Sequence, residues 1–359
     1  MRRIADTVVA LALAAVTAAN VALVAQRAVP AAPEAVEPQD TVRRATLVFA
    51  GDLMLHKPQL ARARTADGSY DFRPVFRHVA ERFRQADYAV LNLETTLARS
   101  GHTGYPCFRS PAETASALAD MGIDAVATAN NHCCDGGSRG IAFTVAVLDS
   151  LGIRHTGAFA DSADFRSNHP LRFERGGISF AMFSHTYGTN GIPTPAGRLV
   201  NRLDTIAMAR ELSAVDRDSV DVVIEFVHWG NEYERVENAE QRRLADFLRR
   251  HGVDLVIGSH PHVVQPFEAD SSHAVIYSLG NLVSNQQWRY SDGGLIASVE
   301  VVKRGGGRPE YSLSLEPVWV KTPEYSLIPP EVGDTLPMSA EQRRRYEEFV
   351  SDTRELLGL

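Results

Sequence analysis

Seven polar side chains of this sequence stand at the points where short apolar runs end. The runs have the composition of buried β-strands, and the carboxyl ends of strands in an open α/β sheet form the edge at which ligands bind. Carboxylate, amide oxygen and imidazole groups make a ligand set that suits Mn, Fe or Zn. Gathered at one edge, they would hold divalent ions and leave positions for water and substrate. The seven residues are Asp52, Glu94, Asn131, His132, His228, His260 and His262.

The segment 258–262, with the sequence GSHPH, is the most specific of these pieces. Two imidazoles two residues apart on a loop with glycine and proline are hard to explain by packing. The Gly-Asp pair at 51–52 is common after a strand, and the Asn-Asn-His triplet at 130–132 suits an ordinary turn, because Asn tolerates left-handed backbone. The His-Trp pair at 228–229 suits a hydrophobic core. All the pieces in this order, each at a strand end, favour a metal centre in which Glu94 could bridge two ions.

The elements that must position these residues follow from the hydrophobic pattern. From residue 45 onward, apolar runs alternate with segments of helical spacing, which predicts an α/β sandwich. A glycine pair at 176–177 predicts a hairpin. Strands are expected over 46–50, 88–93, 124–128, 171–175, 178–184, 220–227, 254–257, 274–279, 295–303 and 311–320, the last two antiparallel. Helices are expected over 72–85, 111–121, 139–151, 238–250 and 339–357.

The first 25 residues predict a signal peptide or a membrane anchor. Arg2 and Arg3 precede an uncharged stretch at 7–25, which as a helix would be about 28 Å long and would match a bilayer. A cleaved signal peptide and an uncleaved anchor both fit this stretch. Residues 26–44, rich in Ala and Pro, are expected to form an extended tether. Because positive residues precede the apolar stretch, the remaining chain is expected outside the cytoplasmic membrane, either held at the cell membrane or, after cleavage, secreted or periplasmic.

The composition of the 359 residues is that of a globular protein, with 44% hydrophobic and 23% charged residues. This excludes wholesale disorder, a fibrous protein and a polytopic membrane protein. The net charge of −7 without a basic stripe argues against nucleic acid as a partner. Three cysteines are too few for a disulfide scaffold. One mixed α/β domain is therefore expected over 45–325, followed by a C-terminal tail and helix over 326–359.

The order of the motifs resembles the CapA (PGA_cap) family of bacterial capsule and poly-γ-glutamate synthesis proteins, which are related to calcineurin-like metallophosphoesterases. The motifs are GD, NLE, NNH, HWG and GSHPH, followed by YSLGN at 277–281. The resemblance covers about residues 47–283. It implies a four-layer α/β/β/α sandwich of two mixed sheets. It also implies a function in the synthesis or export of a surface polymer.

The metallophosphoesterase pattern of DxH, GD, GNHD/E, a lone His and GHxH implies a role for each of the seven residues. The implied metal ligands are Asp52, Glu94 in place of a bridging aspartate, Asn131, His228, His260 and His262. His132 is implied as the catalytic histidine that contacts the scissile phosphate. Met54 stands where the pattern has its first histidine, and Cys133 stands where an acidic residue would orient His132. The ion site formed by Asp52, Glu94 and His262 would then be weaker than the one formed by Glu94, Asn131, His228 and His260.

Four further residues are candidates for contacts with the substrate or with the ligands. Arg109 lies in the loop before the second helix, where its guanidinium suits an anionic substrate. Glu232 would orient a ligand histidine or lie exposed on its loop. His56 is near in sequence to the missing imidazole and could replace it. Asn281 ends the YSLGN motif.

Three functions remain open on the sequence. The leading one is an extracytoplasmic protein of surface-polymer synthesis or export whose site hydrolyses a phosphoester with one or two divalent ions (Mn, Fe or Zn). The second keeps the ions without hydrolysis, and binds an anionic surface polymer or organises a membrane synthase or export complex. The third is a general metal-dependent phosphodiesterase or nucleotidase.

Overall fold

The part of the chain that the computed structural model describes, residues 41–359, is organised around two mixed β-sheets. The expectations for residues 1–40, which include the signal peptide or anchor and most of the tether, lie outside the described residues. The strands are β1 (Val42–Leu53), β2 (Tyr88–Leu93), β3 (Thr96–Ala98), β4 (Arg109–Pro111), β5 (Ala125–Ala127), β6 (Arg154–Thr156), β7 (Ala158–Phe159), β8 (Leu171–Arg175), β9 (Ile178–Thr186), β10 (Leu199–Val200), β11 (Val222–His228), β12 (Leu255–Ser259), β13 (Phe267–Ala269), β14 (Ala274–Ile276), β15 (Asn281–Val283), β16 (Gly293–Arg304), β17 (Glu310–Lys321) and β18 (Ser326–Ile328). The helices are α1 (Lys57–Ala63), α2 (Arg73–Phe76), α3 (Ala80–Arg84), α4 (Glu113–Met121), α5 (Gly137–Ser150), α6 (Ser162–Asn168), α7 (Thr205–Ser213), α8 (Ala239–Arg250), α9 (Pro330–Gly333) and α10 (Ala340–Leu357).

Both sheets have parallel strands flanked by antiparallel ones. The first sheet has the order β18-β17-β16-β1-β2-β5-β6, with β15 also paired to β1, and its β1, β2, β5 and β6 are parallel. The second sheet has the order β13-β14-β12-β11-β9-β8, and its β9, β11, β12 and β14 are parallel. The carboxyl ends of the parallel strands therefore share one edge within each sheet.

Successive side chains of a strand face different layers of the fold, because they point to opposite faces of the sheet. On β1, Leu47 packs in the cluster between the two sheets, whereas Val48 packs with α2, α3, α4 and α5 on the other face. On β11, Ile224 faces the inter-sheet cluster and Val223 packs with α7 and α8. The layers are therefore helices, sheet, sheet and helices, and the predicted α/β/β/α sandwich is confirmed.

The single helix expected at 72–85 is wrong, because α2 and α3 are separate helices joined by a turn at 77–79. The apolar spacing continues across the turn, since Phe76, Val79 and Phe83 are buried in the same cluster. The spacing therefore located the buried face but not the break in the helix.

The remaining predicted elements are present with small shifts at their ends. Strand β2 coincides with the predicted 88–93, and both the β8–β9 hairpin and the antiparallel β16–β17 pair are confirmed. The helix expected from 111 begins at Glu113 instead, because Pro111 is the last residue of β4, which pairs with β3.

The domain extends beyond both of its expected boundaries. β1 begins at Val42, so the last residues assigned to the tether pair with β16. Residues 326–359 are not a separate tail, since β18 pairs with β17 and Trp319 packs with Tyr346 and Phe349 of α10. All of the described residues belong to one compact unit. Between residues 41 and 359, none of the helices has the length and apolar content needed to cross a bilayer.

Candidate metal centre

The seven polar residues lie at the carboxyl ends of strands from both sheets. Asp52 is near the end of β1, Glu94 directly follows β2, and His228 is the last residue of β11. Residues 131–132 follow β5, and the two histidines of the GSHPH segment follow β12. Each of the seven residues is at most 5% exposed. The topology therefore places two carboxylates, an amide and four imidazoles between the edges of the two sheets.

The Asp52 carboxylate is held by groups from both sheets. Asn92 Nδ2 donates to Asp52 Oδ1 at 2.8 Å. The His260 backbone N–H donates to Asp52 Oδ2 at 3.2 Å, and His262 Nδ1 lies 3.1 Å from the same oxygen. These contacts fix the carboxylate and join the end of β1 to the loop after β12.

The Glu94 carboxylate is fully buried, and its Oε1 has no hydrogen-bond partner among the described residues. Oε1 lies 3.6 Å from His228 Nε2 and 3.8 Å from His262 Nε2. Two atoms bound to one tetrahedral zinc ion are about 3.4 Å apart, so these spacings suit ligands of a shared ion. Burial, and then the charge of Asp52, raises the pKa of Glu94 well above its ordinary value. A cation beside Oε1 would satisfy this oxygen and offset the repulsion.

Two histidines of the centre, His228 and His260, favour the neutral form that binds metal. Burial, followed by the charges of neighbouring histidines, lowers the pKa of both His228 and His260 well below the ordinary value. Neutral imidazole is the metal-binding form. His228 Nε2 lies 3.1 Å from Asn131 Oδ1, whereas His260 Nδ1 is buried without a hydrogen-bond partner in the described part of the chain. Like Glu94 Oε1, this buried nitrogen lacks a partner that a bound cation would provide.

The backbone after β12 is bent to aim two of these imidazoles. His260 and His262 have φ angles of 101° and 59°, in the left-handed region. A residue other than glycine costs on the order of 1–3 kcal/mol there. The Tyr233 N–H donates to the Pro261 carbonyl at 2.8 Å, which ties this loop to the loop after β11. The strain falls on two candidate ligands, as expected where the position of a side chain matters more than local stability.

The donor atoms form two groups that share Glu94. One group contains Glu94, His260 and His262, the other contains Asp52, Glu94 and His228, and the ligand atoms of each lie within 4.8 Å of one another. This division differs from the sequence-derived one, which placed His262 with Asp52 and His228 with His260. Glu94 is the shared carboxylate in both. The residues present therefore fit one or two divalent ions of the Mn, Fe or Zn type.

His132 lies beside the donor groups and is oriented by an acid. Its Nδ1 is 2.7 Å from Asp135 Oδ2, and its ring packs edge-on against Phe108 with 4.6 Å between centroids. A carboxylate oxygen only accepts, so the shared proton belongs to Nδ1, and Nε2 is left facing Asn190 at 3.4 Å. The acidic orienter that the sequence analysis missed at Cys133 is Asp135, three positions after His132 instead of one.

Asn92 and Ser259 also contact the candidate ligands, and the sequence analysis missed both. Asn92 Nδ2 lies 2.8 Å from Asp52 Oδ1 and 3.4 Å from both Glu94 Oε2 and His228 Nδ1. Ser259 Oγ lies 2.9 Å from His228 Nδ1. Such partners set the orientation of metal ligands. A polar Asn inside the apolar run YAVLNL was the sequence signal for the first of them.

His56 lies at the edge of the centre and belongs to neither donor group. Its ring packs edge-on against Phe108 with 5.0 Å between centroids. Its Nδ1 lies 3.3 Å from Gln59 Oε1, and the backbone nitrogen of Asn285 is also 3.3 Å from this Nδ1. Burial lowers the pKa of His56 to about 4, against the opposing effect of the bond to Gln59. The structure therefore does not bring this imidazole into the place of Met54.

Glu232 and Asn281 lie near the ligands without joining the donor groups. Glu232 is exposed on its loop, and Ser259 occupies the orienting position that Glu232 was expected to fill. Asn281 is buried, and its Nδ2 donates to the Ser291 carbonyl at 2.8 Å and to the His262 carbonyl at 3.3 Å. Asn281 thus stabilises the loop that contains His260 and His262 through its bond to the His262 carbonyl.

Arg109 lies outside the donor groups, in β4. The preceding residue is Phe108, whose ring packs on His132. Arg109 Nε donates to Thr103 Oγ1 at 3.2 Å, and the residue lines a neighbouring cavity. Its guanidinium is therefore next to the centre rather than in it.

Exposed aromatic side chains surround the mouth of the centre. Tyr187 lies with its ring centroid 4.5 Å from that of His260, and Tyr233 lies 6.1 Å from His262. Trp288 packs against Tyr233 with 4.9 Å between centroids. These three aromatics are 41–61% exposed. They provide apolar surface beside a polar centre, as in sites that bind substrates with both apolar and polar parts.

Comparison with known proteins gives relatives of two kinds. The fold is similar to a phosphatase from Mycoplasma pneumoniae, with a TM-score of 0.49, 14% identity and coverage of 79% of this chain and 97% of that one. In sequence, the chain is 25% identical over 261 residues to the capsule biosynthesis protein CapA of Bacillus anthracis, covering 70% of this chain and 62% of the relative. It is 26% identical over 274 residues to the PGA biosynthesis protein CapA of Bacillus subtilis (strain 168), covering 73% and 69%.

The chain thus spans less than two thirds of the Bacillus anthracis relative's length. The family described as bacterial capsule synthesis protein PGA_cap matches residues 46–286, a span that contains all seven polar residues of the centre and more than half of the chain. The protein therefore belongs to the bacterial capsule synthesis protein family PGA_cap.

Proposed function

We propose that this protein is a metal-dependent phosphoester hydrolase that serves the synthesis or export of an anionic surface polymer. The observation that carries the proposal is a pair of donor groups sharing the buried Glu94, beside a histidine oriented by an acid. A divalent cation at such a site supplies Lewis acidity, which activates water and offsets the charge of phosphate oxygens.

The residues of the chain would act on the proton of the leaving group. Hydrolysis adds the oxygen of one water to phosphorus, breaks the bond from phosphorus to the leaving oxygen, and requires a proton for that oxygen. The attacking water gives up one proton as its oxygen bonds to phosphorus. His132 Nε2 is the atom placed to take up this proton and pass it to the leaving oxygen, because Nδ1 already carries the proton that it shares with Asp135 at 2.7 Å. The carboxylate would stabilise the imidazolium form and keep the ring in position. Asn190, 3.4 Å from Nε2, lies where an oxygen of the substrate would be bound.

The role in polymer synthesis is supported by family membership and by the names of the relatives, which are capsule and PGA biosynthesis proteins. Poly-γ-glutamate is a chain of amides without a phosphoester. In this proposal the phosphoester at the metal centre and the polymer are therefore separate ligands of one protein.

The proposal also places the domain outside the cytoplasm, on the strength of the sequence at 1–25. Fractionation of a tagged protein tests this. We expect the protein in the membrane fraction and accessible from outside, or a soluble exported product that begins near residue 26. Full-length protein in the cytosol would refute export.

The decisive experiment is metal analysis of purified full-length protein together with assays on phosphodiester, phosphomonoester and γ-glutamyl substrates. We expect bound divalent metal and metal-dependent turnover of a phosphoester. The His132→Ala variant should lose turnover and keep its metal. Metal without turnover of any ester would favour the alternative, in which the protein binds a polymer or organises a synthase complex. Turnover with no effect of gene deletion on surface polymer would favour a general phosphodiesterase or nucleotidase.

A further inference from the structure

A cavity of about 600 Å³ beside the metal centre is lined by four arginines. Arg109 lies in β4, and Arg99 directly follows β3. Arg139 lies in the first turn of α5, and Arg198 precedes β10. Separate elements thus bring four guanidinium groups to one cavity, which we call the arginine cavity.

The charges in the arginine cavity are not offset by acids. Within residues 41–359, none of its four arginines has a carboxylate oxygen within 4.0 Å. Other arginines of the domain do, including Arg82 with Glu316 and Arg217 with Asp254. In a protein of net charge −7, four uncompensated cations around one cavity favour an anionic ligand.

Neutral groups hold three of the guanidinium groups in place. Arg109 Nε donates to a threonine hydroxyl at 3.2 Å, and Arg198 Nε donates to the Ser138 carbonyl and hydroxyl at 3.1 and 3.0 Å. Arg99 lies over the ring of Phe143, 4.7 Å from its centroid. The side chains are therefore oriented before a ligand arrives, while their remaining N–H groups stay available for carboxylate or phosphate oxygens.

The floor of the arginine cavity is apolar. Leu97, Ala142, Phe143 and Ala146 line it together with the arginines. A ligand that fits must therefore carry anionic groups joined by hydrocarbon segments. A chain of γ-linked glutamate has a carboxylate on each residue and two methylenes between amides, whereas polyphosphate has no apolar part. The lining thus favours a polycarboxylate over a polyphosphate.

The arginine cavity adjoins the metal centre through two pairs of neighbours. Arg109 follows Phe108, whose ring packs on His132. Gly136, which lines the cavity and is the N-cap of α5, follows Asp135. The amino-terminal end of the 14-residue α5 adds its positive dipole on this side. A chain lying in the cavity would therefore run past the mouth of the metal centre.

We propose that the arginine cavity binds a flexible polyanion through repeated carboxylates and keeps it next to the metal centre. Binding of an anion follows from the lining of the arginine cavity and does not require the proposed hydrolysis. The identity of this polyanion with the surface polymer that the protein serves rests on the proposed function.

The test is direct binding of fluorescent poly-γ-glutamate of defined length to the full-length protein at low salt. The Arg99→Gln/Arg139→Gln variant should bind about tenfold more weakly, because both guanidinium groups are at the cavity and have no acidic partner to lose. The matched control is Arg210→Gln/Arg250→Gln, which makes the same change of charge on exposed positions of α7 and α8. The control should bind as the wild type does. Short polyphosphate, measured in parallel, should bind more weakly than the polycarboxylate.

Each outcome separates the proposals. Equal binding by the cavity variant and the wild type, or an equal loss in the control, would overturn the arginine cavity as a site. Tighter binding of polyphosphate, lost in the cavity variant, would overturn the assignment to carboxylates. A His228→Ala variant should still bind the polymer, because the cavity contains no metal ligand. If the wild-type protein binds the polymer but holds no metal and turns over no ester, this inference stands and the proposed hydrolase is refuted.

Discussion

At the scale of residues, the metal centre contains buried polar atoms that have no hydrogen-bond partner among the described residues. Glu94 Oε1 and His260 Nδ1 are buried without hydrogen-bond partners in the described structure, and Asp52 adds a second carboxylate beside the first. A buried carboxylate oxygen without a partner costs free energy, and a second buried carboxylate beside it adds charge repulsion. A bound cation would offset this cost, so the arrangement favours cation binding. The neighbouring His132 differs from Glu94 and His260, because its Nδ1 has a partner in Asp135 Oδ2 at 2.7 Å.

The role of Asp135 can be tested by the conservative change Asp135→Asn. The asparagine keeps the shape and can still accept from the Phe108 N–H, a contact of 2.6 Å in the wild type. It no longer stabilises a protonated His132, so we expect kcat for phosphoester hydrolysis to fall about 10- to 100-fold with little change in KM. Steady-state kinetics and metal analysis of the same samples check this. A loss of bound metal equal to the loss of turnover would show that Asp135 supports the ligands instead.

The absence of an imidazole at Met54 predicts unequal ion sites. Met54 is buried two residues after Asp52, and a thioether is a soft ligand that Mg, Mn or ferric iron disfavours. We expect metal-free protein to bind divalent ions in two steps of different affinity. The Met54→His variant should raise the affinity of the weaker step, as measured by calorimetry. Two equal, tight steps in the wild type, or no response to the added imidazole, would mean that another group already completes the weaker site.

At the scale of elements, the centre depends on how closely strands and loops approach. Gly51 lies where β1 meets the segment before β15, and a Cβ built on it would be 1.9 Å from the Gly280 carbonyl oxygen. That oxygen accepts from the Asp52 N–H at 3.0 Å. Because Gly51 has no side chain, the two backbones can approach closely enough to form this hydrogen bond, which positions Asp52 in the metal centre.

Gly51→Ala should accordingly damage both stability and metal binding. The new methyl group would push the two backbones apart, and we expect the free energy of unfolding to fall by about 3 kcal/mol. Urea denaturation and metal titration measure the two effects. Gly306→Ala is the matched control, since a Cβ there meets no atom within 4 Å. Equal stability of both variants would show that β1 and the segment before β15 can separate without cost.

A second buried group of charges joins the second sheet to its helical layer. His185 on β9 has Nδ1 3.0 Å from Glu225 of β11 and Nε2 3.1 Å from Glu211 of α7. Burial lowers the pKa of His185, but the charges of the two glutamates and the bonds to them outweigh this and raise it to about 9. Hydrogen bonds with His169 and His185 likewise outweigh burial and lower the pKa of Glu211 to about 2.

These shifts predict how stability depends on pH. A raised pKa means that the folded protein holds the His185 proton more tightly, so this contribution is full below pH 6.5 and is lost as pH rises through about 9. The contribution of Glu211 is lost only as pH falls through about 2. In metal-free protein, we expect the stability difference between wild type and His185→Gln to shrink by about 2 kcal/mol from pH 6.5 to 9. His251→Gln, at an exposed histidine, should show no such trend.

The sequence predicted the elements where one physical signal dominated. YAVLNL predicted β2 to the residue, because a mostly apolar run of this length, bounded by polar residues, suits a buried strand and is too short for a typical buried helix. The helix over 72–85 failed, because a turn that keeps the same face buried leaves the apolar spacing unchanged. Pro111 was assigned to a helix start, yet it pairs in β4, and that pairing with β3 is a contact between segments that no local pattern reveals.

The candidate site was predictable in its ligands and not in their partners. Strand ends and the resemblance pointed to residues such as Asp52 and His228, since topology brings each of them to the carboxyl edge of its own sheet. Asp135 was missed because the turn after Asn131 shifts the acid by two positions along the chain while keeping it on His132. The arginine cavity depends on residues from four separated segments, and only the tertiary structure brings them together.

At the scale of the whole molecule, the metal centre combines candidate ligands from both sheets. Asp52 and Glu94 come from strands of the first sheet, whereas His228, His260 and His262 come from the second. An ion bound by both sets can exist only while the sheets are packed together. Metal binding should therefore be linked to the folding of the entire domain.

The linkage can be measured by thermal unfolding with and without metal. At an ion concentration 100 times Kd, binding adds about 2.7 kcal/mol to the stability of the folded state. For a domain of this size, the unfolding entropy of about 0.7 kcal/mol/K makes this a rise in Tm of about 4 °C. A chelator should reverse the shift. No change in Tm on addition of Mn, Fe or Zn would contradict a metal centre between the sheets.

Glu94→Gln tests the shared carboxylate directly, because its effects on stability without metal and with metal have opposite signs. The amide keeps the size of the side chain and removes a buried negative charge whose pKa is raised by burial and by Asp52. Without metal, the variant should be more stable than the wild type at neutral pH, since the wild type must either bury the charge or protonate the carboxyl, and the amide requires neither. With metal, it should gain little, because the carboxylate shared by both donor groups is missing. Calorimetric melting of both proteins with chelator and with metal gives the four values needed. A variant that is less stable than the wild type without metal, or that gains as much from metal, would mean that Glu94 holds the fold together by itself and is not the shared ligand.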